Sequence, residues 1–287
     1  MEPRSLNGRT VAITGGARGI GKATAKALVA KGARVAIGDL DLALAEKTAT
    51  ELGGNVVAFA LDVTDRSSFD AFLTEAEREL GPLDVVINNA GIMPVGLFTD
   101  EADDSARRQI DINVHGVIFG TKLALERMRP RGSGHIVNIA SQAGKNGVPG
   151  VATYCASKHA VVGLSEAVRG ELRGTGIEVS CVMPAIVNTE LTSGVKPARG
   201  VRNVEPEEVA AAIVGALEKP KFDIPVPRSA QSIATFMSVF PRAVREAVAR
   251  AMKVDKLMID VDEEARRSYE DRAAHSEPSA EEKQPVS

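Results

Sequence analysis

Tyr154 and Lys158 stand four positions apart in the stretch Thr153-Tyr154-Cys155-Ala156-Ser157-Lys158. On a helix that spacing puts both side chains on one face, one turn apart. A phenol titrates near ~10, too high for a base at neutral pH. A fixed ammonium close by favours the phenolate and lowers that value by roughly 1–3 units. A tyrosine so tuned can take a proton from an alcohol or return one to a ketone. Alone, the pattern also fits a buried tyrosine and a surface lysine on any helix. Its meaning depends on what stands upstream.

Upstream lies the chemistry of a dinucleotide cradle. Arg9 to Thr14 is a short apolar run that reads as a buried strand. It enters Gly15-Gly16-Ala17-Arg18-Gly19-Ile20-Gly21, and Lys22 to Lys31 then reads as a helix ended by Gly32. Glycines let the backbone turn tightly against a ligand, and a helix N-terminus offers free N–H groups to a pyrophosphate. Asp39 closes the second strand, 18 positions beyond Gly21. That is close to the ~20 expected of the acid that holds an adenosine ribose. A carboxylate there accepts hydrogen bonds from the 2′-hydroxyl and repels a 2′-phosphate, which selects NAD over NADP. Two features argue otherwise. Asp39 could merely cap the next helix, and Arg18 could grip a 2′-phosphate. Asp39 carries the greater weight, so the expected cofactor is NAD.

The elements that must position these groups follow from the rest of the chain. Its 287 residues are 44% apolar but only 3% aromatic, with no Trp. Ala, Val, Ile, Leu and Gly must do the packing, which suits a parallel sheet covered by helices. Strands read at Ala33–Gly38, Val56–Ala60, Leu83–Ile87, Gly134–Ile139, Ile177–Val182 and Phe222–Val226. Helices read at Leu42–Leu52, Arg66–Leu80, Asp103–Arg129, Thr153–Arg173 and Pro206–Leu217. This alternation predicts repeated βαβ units: an α/β fold with a doubly wound parallel sheet, the Rossmann fold, as a single domain. The expected boundaries are a domain over 7–227, a helical C-terminal extension over 228–256, and an acidic, disordered tail over 257–287. Within the extension, Ile233, Phe236, Met237, Val239, Phe240, Val244, Val248 and Met252 interleave with basic residues, and Pro241 splits the pattern.

The net charge of −3 gives no reason to expect nucleic acid. Cys155 and Cys181 sit in apolar segments and read as buried thiols, which fits a reducing compartment. The four histidines form no metal-ligand spacing, so no metal is expected. The N-terminus is polar, and no run of about 18 apolar residues could span a bilayer. The expectation is a soluble cytoplasmic protein.

In order and spacing, Thr14 to Gly21 (T-G-x-x-x-G-x-G), Asn88 to Gly91 (N-N-A-G), Asn113, Ser141, and Tyr154 with Lys158 resemble the short-chain dehydrogenase/reductase family. The resemblance covers residues 7 to 227. It implies Tyr154 as the general acid/base, and Lys158 as the group that holds the nicotinamide ribose and tunes the phenol. Ser141 would hydrogen-bond the substrate oxygen, and Asn113 would anchor a water leading from Lys158 to solvent. The resemblance also assigns Gly15, Arg18, Gly19 and Ile20 to the cofactor turn. Asp62 and Val63 would meet the adenine, and Asn89, Ala90 and Gly91 would line the cofactor path. Pro184, Val187 and Thr189 lie in Pro184-Ala185-Ile186-Val187-Asn188-Thr189, which is similar to the family's P-G-x-V-x-T that reaches the carboxamide. Ala185 replaces the usual Gly there, and Ala tolerates φ > 0 poorly.

The implied reaction is hydride transfer between NAD and a secondary alcohol or ketone. The wall candidates are Met93, Pro94, Val95, Leu97, Phe98, Ala143, Val148, Pro149, Val151 and the loop from Leu191 to Val204, with Gln142 and Lys145 as polar exceptions. They are mostly apolar and favour a lipophilic small-molecule substrate. Two other readings stay open at this point: a catalytically silent dinucleotide-binding regulator, and a dehydratase or epimerase of the same fold. Surplus apolar positions on the long helices predict a homo-oligomer, a tetramer or a dimer. Peripheral membrane contact by the basic extension is the less favoured use of that segment.

Overall fold

The computed structural model describes residues 3–195, 202–229, 240–251 and 256–274. Seven parallel strands form one sheet in the order β3-β2-β1-β4-β5-β6-β7. The strands are β1 (Thr10–Thr14), β2 (Arg34–Asp39), β3 (Val56–Ala60), β4 (Val85–Asn88), β5 (Gly134–Ile139), β6 (Ile177–Pro184) and β7 (Asp223–Val226). The chain starts in the middle, winds out through β2 and β3, returns to β4, and winds out the other way. The doubly wound parallel sheet read from the sequence is therefore present. The point where the winding reverses lies between β1 and β4, where α/β folds bind ligands beyond the strand ends.

Helices α1 (Gly19–Val29), α2 (Leu42–Leu52) and α7 (Pro206–Glu218) cover one face, and α3 (Arg66–Leu80) and α5 (Gly116–Met128) cover the other. Strand side chains alternate between the two layers. Val11, Ile13, Val35 and Ile37 join the first cluster, while Ala12, Ala36, Val86 and Ile136 join the second. Buried on both faces, the strands read as continuous apolar runs. Close packing sets some of the spacing. At Gly120 of α5 a Cβ would lie 2.0 Å from the Asn88 Oδ1 and 2.6 Å from the Phe69 ring. Only a glycine lets α5 sit this near β4.

Two expectations differ. The stretch Asp103–Arg129 is not one regular helix. α4 (Asp103–Ile110) runs into a π-helical turn at Asp111–His115 and then into α5. A π turn inserts one residue into the ladder and is frequent at functional sites; Asn113 sits inside it. The second difference is the acidic tail. Part of 257–287 is ordered: after α6 (Ala152–Glu171) and α8 (Arg242–Ala251), the chain ends its described part in α9 (Glu263–Ala274). Arg266, Tyr269 and Ala273 are buried there, at helical spacing. The tail reads as disordered from composition because the largest residue of that stripe is an arginine, which hydropathy scores as exposed. In the extension over 228–256, residues 230–239 and 252–255 lie outside the described residues, as do 275–287. Of the apolar set named there, Phe240 and Val244 are exposed.

His135 on β5 is buried, and its Nε2 pairs with the Ser180 Oγ at 2.8 Å. The Ser180 hydroxyl donates to the Lys221 carbonyl, so the imidazole must be the donor and carries its proton on Nε2. Burial, helped by the charge of Arg4, pushes this histidine down to about 3. The unfolded chain therefore takes up a proton near the ordinary value that the folded chain refuses. Stability should fall as pH drops from ~6.5 toward 3, by about 2 kcal/mol at pH ~5. Urea melts near pH 7 and pH 5 should show a loss that His135→Gln, which keeps a donor for Ser180, reduces.

Candidate active site

The glycine turn leaves β1 at the reversal point. Gly15 and Gly19 hold φ of +64° and +52°, in the left-handed region. At Gly21 a Cβ would lie 2.1 Å from the Gly15 carbonyl oxygen. No side chain caps the N-terminus of α1, so its first N–H groups face outward, with Arg18 and Ile20 flanking Gly19. The floor is fixed from β4. The Thr14 hydroxyl accepts from the N–H groups of Asn89 and Ala90, each at 3.0 Å. The Asn89 amide donates to the carbonyls of Thr14 and Gly15. The Thr189 methyl would be 3.3 Å from a Cβ at Gly19, so the loop after β6 closes the other side. An open helix N-terminus and a cradle with no room for a Cβ fit the pyrophosphate of a dinucleotide.

Asp39 ends β2 beneath this turn. Its carboxylate accepts from the backbone N–H of Ala17 at 3.1 Å and of Asp41 at 3.2 Å. Burial raises its pKa, and those two hydrogen bonds pull it back. Asp41, not Asp39, caps α2, through Leu44 N–H. Arg18 is engaged elsewhere: Nη2 meets Asp41 at 2.8 Å and Nη1 meets Glu190 at 3.2 Å. Glu190, which the sequence did not single out, also meets Arg272 of α9 at 2.7 Å. Asp62 turns inward on Thr64, and Val63 packs against Gly116.

Tyr154 and Lys158 rise from the first turns of α6, which Val151 precedes without a side-chain cap. As the spacing required, they share a face, with the Lys158 Nζ 5.6 Å from the Tyr154 ring centroid. Lys158 is only 4% exposed and donates to the Ile139 carbonyl at 2.9 Å. Tyr154 is 8% exposed. Ser141, on the turn after β5, accepts from Ala143 N–H at 3.1 Å and faces the Pro184 carbonyl at 3.5 Å, near enough to the phenol of Tyr154 to lower its pKa. Asn113 accepts from Ile92 N–H and donates to the Ile92 carbonyl, both at 2.9 Å, and donates to Ser157 Oγ at 3.1 Å. A Cβ at Gly91 would stand 3.0 Å from Asn113 Oδ1 and 3.4 Å from Lys158 Nζ. The four residues thus meet around one point.

The charge states differ from what the charges alone imply. Burial pushes the Tyr154 phenol up to about 12, with Ser141 pulling partly back. Burial also pushes Lys158 down to about 8. Each group loses its hydration, and that loss disfavours its charged form more than the neighbour favours it. The phenol is therefore un-ionised at neutral pH.

Ala185 donates its N–H to the Val226 carbonyl at 2.7 Å, which carries the β6–β7 pairing past Pro184. Val187 then bridges Val204, and Thr189 caps the short turn Glu190–Thr192. Around the phenol, Met93, Val151 and Cys155 form a cluster with Met258, joined by Val95, Ala143, Val148, Leu191 and Val195. Leu97 and Phe98 do not join it: they point outward, Phe98 being 70% exposed. Gln142 is spent on the Met183 carbonyl. Residues 196–201 of the expected wall loop lie outside the described residues. Met258, Arg266, Tyr269 and Glu270 reach the site from the supposed tail. The available signal was Tyr269 itself, one of two tyrosines in the chain, standing in an otherwise charged stretch. Among the described residues no cluster has the makings of a metal site.

The family model for short chain dehydrogenases matches residues 9–200. A sorbitol dehydrogenase of Cereibacter sphaeroides is 41% identical over 191 residues, covering 66% of this chain and 75% of that protein. A galactitol 2-dehydrogenase of Agrobacterium fabrum is 39% identical over 187 residues, 64% and 73% of the two chains. A probable oxidoreductase EphD of Mycobacterium tuberculosis is 34% identical over 267 residues, which cover 85% of this chain but 45% of that longer one. Matched over most of its length by that model, with the sheet and the glycine turn in place, the chain belongs to the short-chain dehydrogenase/reductase family, oxidoreductases of CH–OH groups.

Proposed function

We propose that this protein transfers a hydride between NAD and a secondary alcohol or ketone of lipophilic character. The observation that carries the reading is the meeting of Tyr154, Ser141 and Lys158 beside the glycine cradle, in a site otherwise walled by apolar side chains. When bound, the nicotinamide would supply the hydride acceptor or donor. Tyr154 would take the carbinol proton, or give one to the ketone oxygen. Ser141 would hold that oxygen and stabilise its developing charge. Lys158 would hold the ribose and exchange protons, since a buried amine near 8 gives one up readily. Asn113 would anchor the water through which the proton leaves.

Gly15, Arg18, Gly19 and Ile20 would receive the pyrophosphate, Asp62 and Val63 the adenine, and Asn89, Ala90 and Gly91 the path between. Pro184, Val187 and Thr189 would take the carboxamide. The preference for NAD is supported by Asp39, whose carboxylate ends β2 under the turn, and by Arg18, which already has two acidic partners. A homo-oligomer, tetramer or dimer, is supported by the outer face of α6, where Ala156, Ala160, Gly163 and Ala167 are exposed. No described helix is long and apolar enough to cross a membrane. A cytoplasmic location is our reading of the sequence.

A panel of secondary alcohols with NAD tests the function directly. A net rise in reduced nicotinamide is expected, and none would be seen from a dehydratase, an epimerase or a silent binder. Tyr154→Phe should bind NAD normally and lose about 10²–10⁴ in kcat. With the phenol near 12, oxidation needs its rare phenolate. kcat/KM for an alcohol should therefore climb from about pH 7 to about pH 10, approaching tenfold per unit. Ketone reduction should show no such climb. NAD should be preferred over NADP by at least about tenfold in kcat/KM, ~1.4 kcal/mol. Asp39→Ala should narrow that gap, and a wild-type preference for NADP would show that Arg18 governs instead.

A further inference from the structure

The last helix brings a second phenol to the site. Tyr154 and Tyr269 are the chain's two tyrosines. Burial raises the pKa of Tyr269, and Tyr154 adds the smallest push in the same direction. Tyr269 accepts a hydrogen bond from Met93 N–H at 2.7 Å, and Met93 packs on Tyr154. A phenol donates as well as accepts. The proton of Tyr269 has no acceptor among the described residues.

A buried charge holds the helix in place beside its buried Tyr269 and Ala273. Arg266 is 2% exposed. Its Nη1 donates to the carbonyls of Leu191 at 3.0 Å and Ser193 at 3.1 Å, and its Nη2 donates to that of Met93. Its Nε meets Glu270 at 2.5 Å, and Glu270 in turn accepts from Val95 N–H. One guanidinium therefore ties the loop after β4 to the loop after β6, the two loops that wall the phenol. It also lies 4.8 Å over the Tyr269 ring and fixes its orientation. The turn before the helix fits as closely. At Gly150 a Cβ would lie 2.5 Å from the Met258 carbonyl oxygen, and at Gly194 one would lie 2.3 Å from that of Asp262.

We propose that Tyr269 is a substrate-contacting residue that donates its free phenolic proton to a second oxygen of the bound alcohol or ketone, and that Arg266 is the positioning residue that holds it there. This rests on the dehydrogenase reading above. Ser141 and Tyr154 serve the reacting oxygen, so Tyr269 serves another. That oxygen is neutral, because Glu270 meets the charge of Arg266 and four of its five N–H groups are committed. The side chains clustered with Tyr154 include Met93, Val151, Leu257 and Met258, all apolar. The substrate class is an apolar alcohol or ketone with one further hydroxyl, ether or carbonyl oxygen, rather than a polyol or an acid.

Tyr154→Phe leaves Tyr269 as the sole tyrosine in a chain without tryptophan, so the protein's emission reports on that phenol alone. The probes are 2-octanone and the set of hydroxy-2-octanones in which one hydroxyl moves along the chain. At least one hydroxy-ketone should perturb the Tyr269 emission. The wild type should reduce it with kcat/KM about three- to tenfold above 2-octanone, the gain lying in KM. Tyr269→Phe leaves the Met93 N–H without its acceptor, so it should slow both ketones somewhat, but it should cost the hydroxy-ketone about three- to tenfold more than 2-octanone, and leave NADH affinity unchanged. A purely structural tyrosine would weaken both ketones alike. Arg266→Lys, which keeps the charge without the fork, should erase the same gain. An unperturbed emission, or no hydroxyl position that gains through Tyr269, overturns the proposal. If the wild type reduces none of these ketones with NADH or NADPH, the dehydrogenase reading falls with it.

Discussion

An ammonium is kept inside this protein, and much of the architecture serves that constraint. Burying a charge is costly unless it is hydrogen-bonded, and the Lys158 Nζ has the Ile139 carbonyl for its partner. That carbonyl is free for it because β5 ends there. Gly91 lies between the Nζ and Asn113, where a Cβ would crowd the Asn113 Oδ1 at 3.0 Å. Asn113 and Ser157 bond each other in the layer beside it. Strand end, glycine, π turn and helix face come from four separate parts of the chain, and the long-range order of the sheet is what brings them together. The phenol of Tyr154 shares the dry environment, so both groups sit away from their ordinary titration ranges.

Much of this was legible in the sequence, and the reasons are local. Tyr154 and Lys158 had to share a face because helical geometry allows nothing else at that spacing. The glycine turn announced itself because strand, glycines and helix follow one another without interruption. The sheet could be read because its strands are buried on both sides and carry no polar alternation. What was not legible depended on contacts far apart in the chain. Leu97 and Phe98 read as pocket wall from their apolarity, yet the loop turns them to solvent. Glu190 gave no local sign of closing an ion pair with Arg18. The direction of the tyrosine's titration was misjudged because a charge pattern contains no measure of burial. The order in 263–274 was hidden because a buried stripe built around Arg266 looks like a solvated one.

The two ends of the site are joined electrostatically. Asp41, Arg18, Glu190 and Arg272 form a chain of opposite charges from the glycine turn to the last helix. Each pair is partly exposed and contributes little alone. Their arrangement still places the cofactor side and the C-terminal segment in one network, through the loop after β6. The segment that walls the apolar side of the phenol is therefore not an appendage to the sheet domain. It shares hydrogen bonds with both loops that define the site.

The π turn at Asp111–His115 carries a consequence for how this chain tolerates change in length. Each residue of a helix turns the following side chains by about 100°. With one residue added to the ladder, α4 and α5 are out of phase, so the face that α4 presents is not continued by α5. Asn113 occupies the seam of that phase shift. Elsewhere a substitution alters one side chain and leaves its neighbours aimed as before. Here the loss of one residue would regularise the helix and re-aim every side chain downstream, Gly120 against β4 among them. In this segment the number of residues is as much a part of the site as their identity.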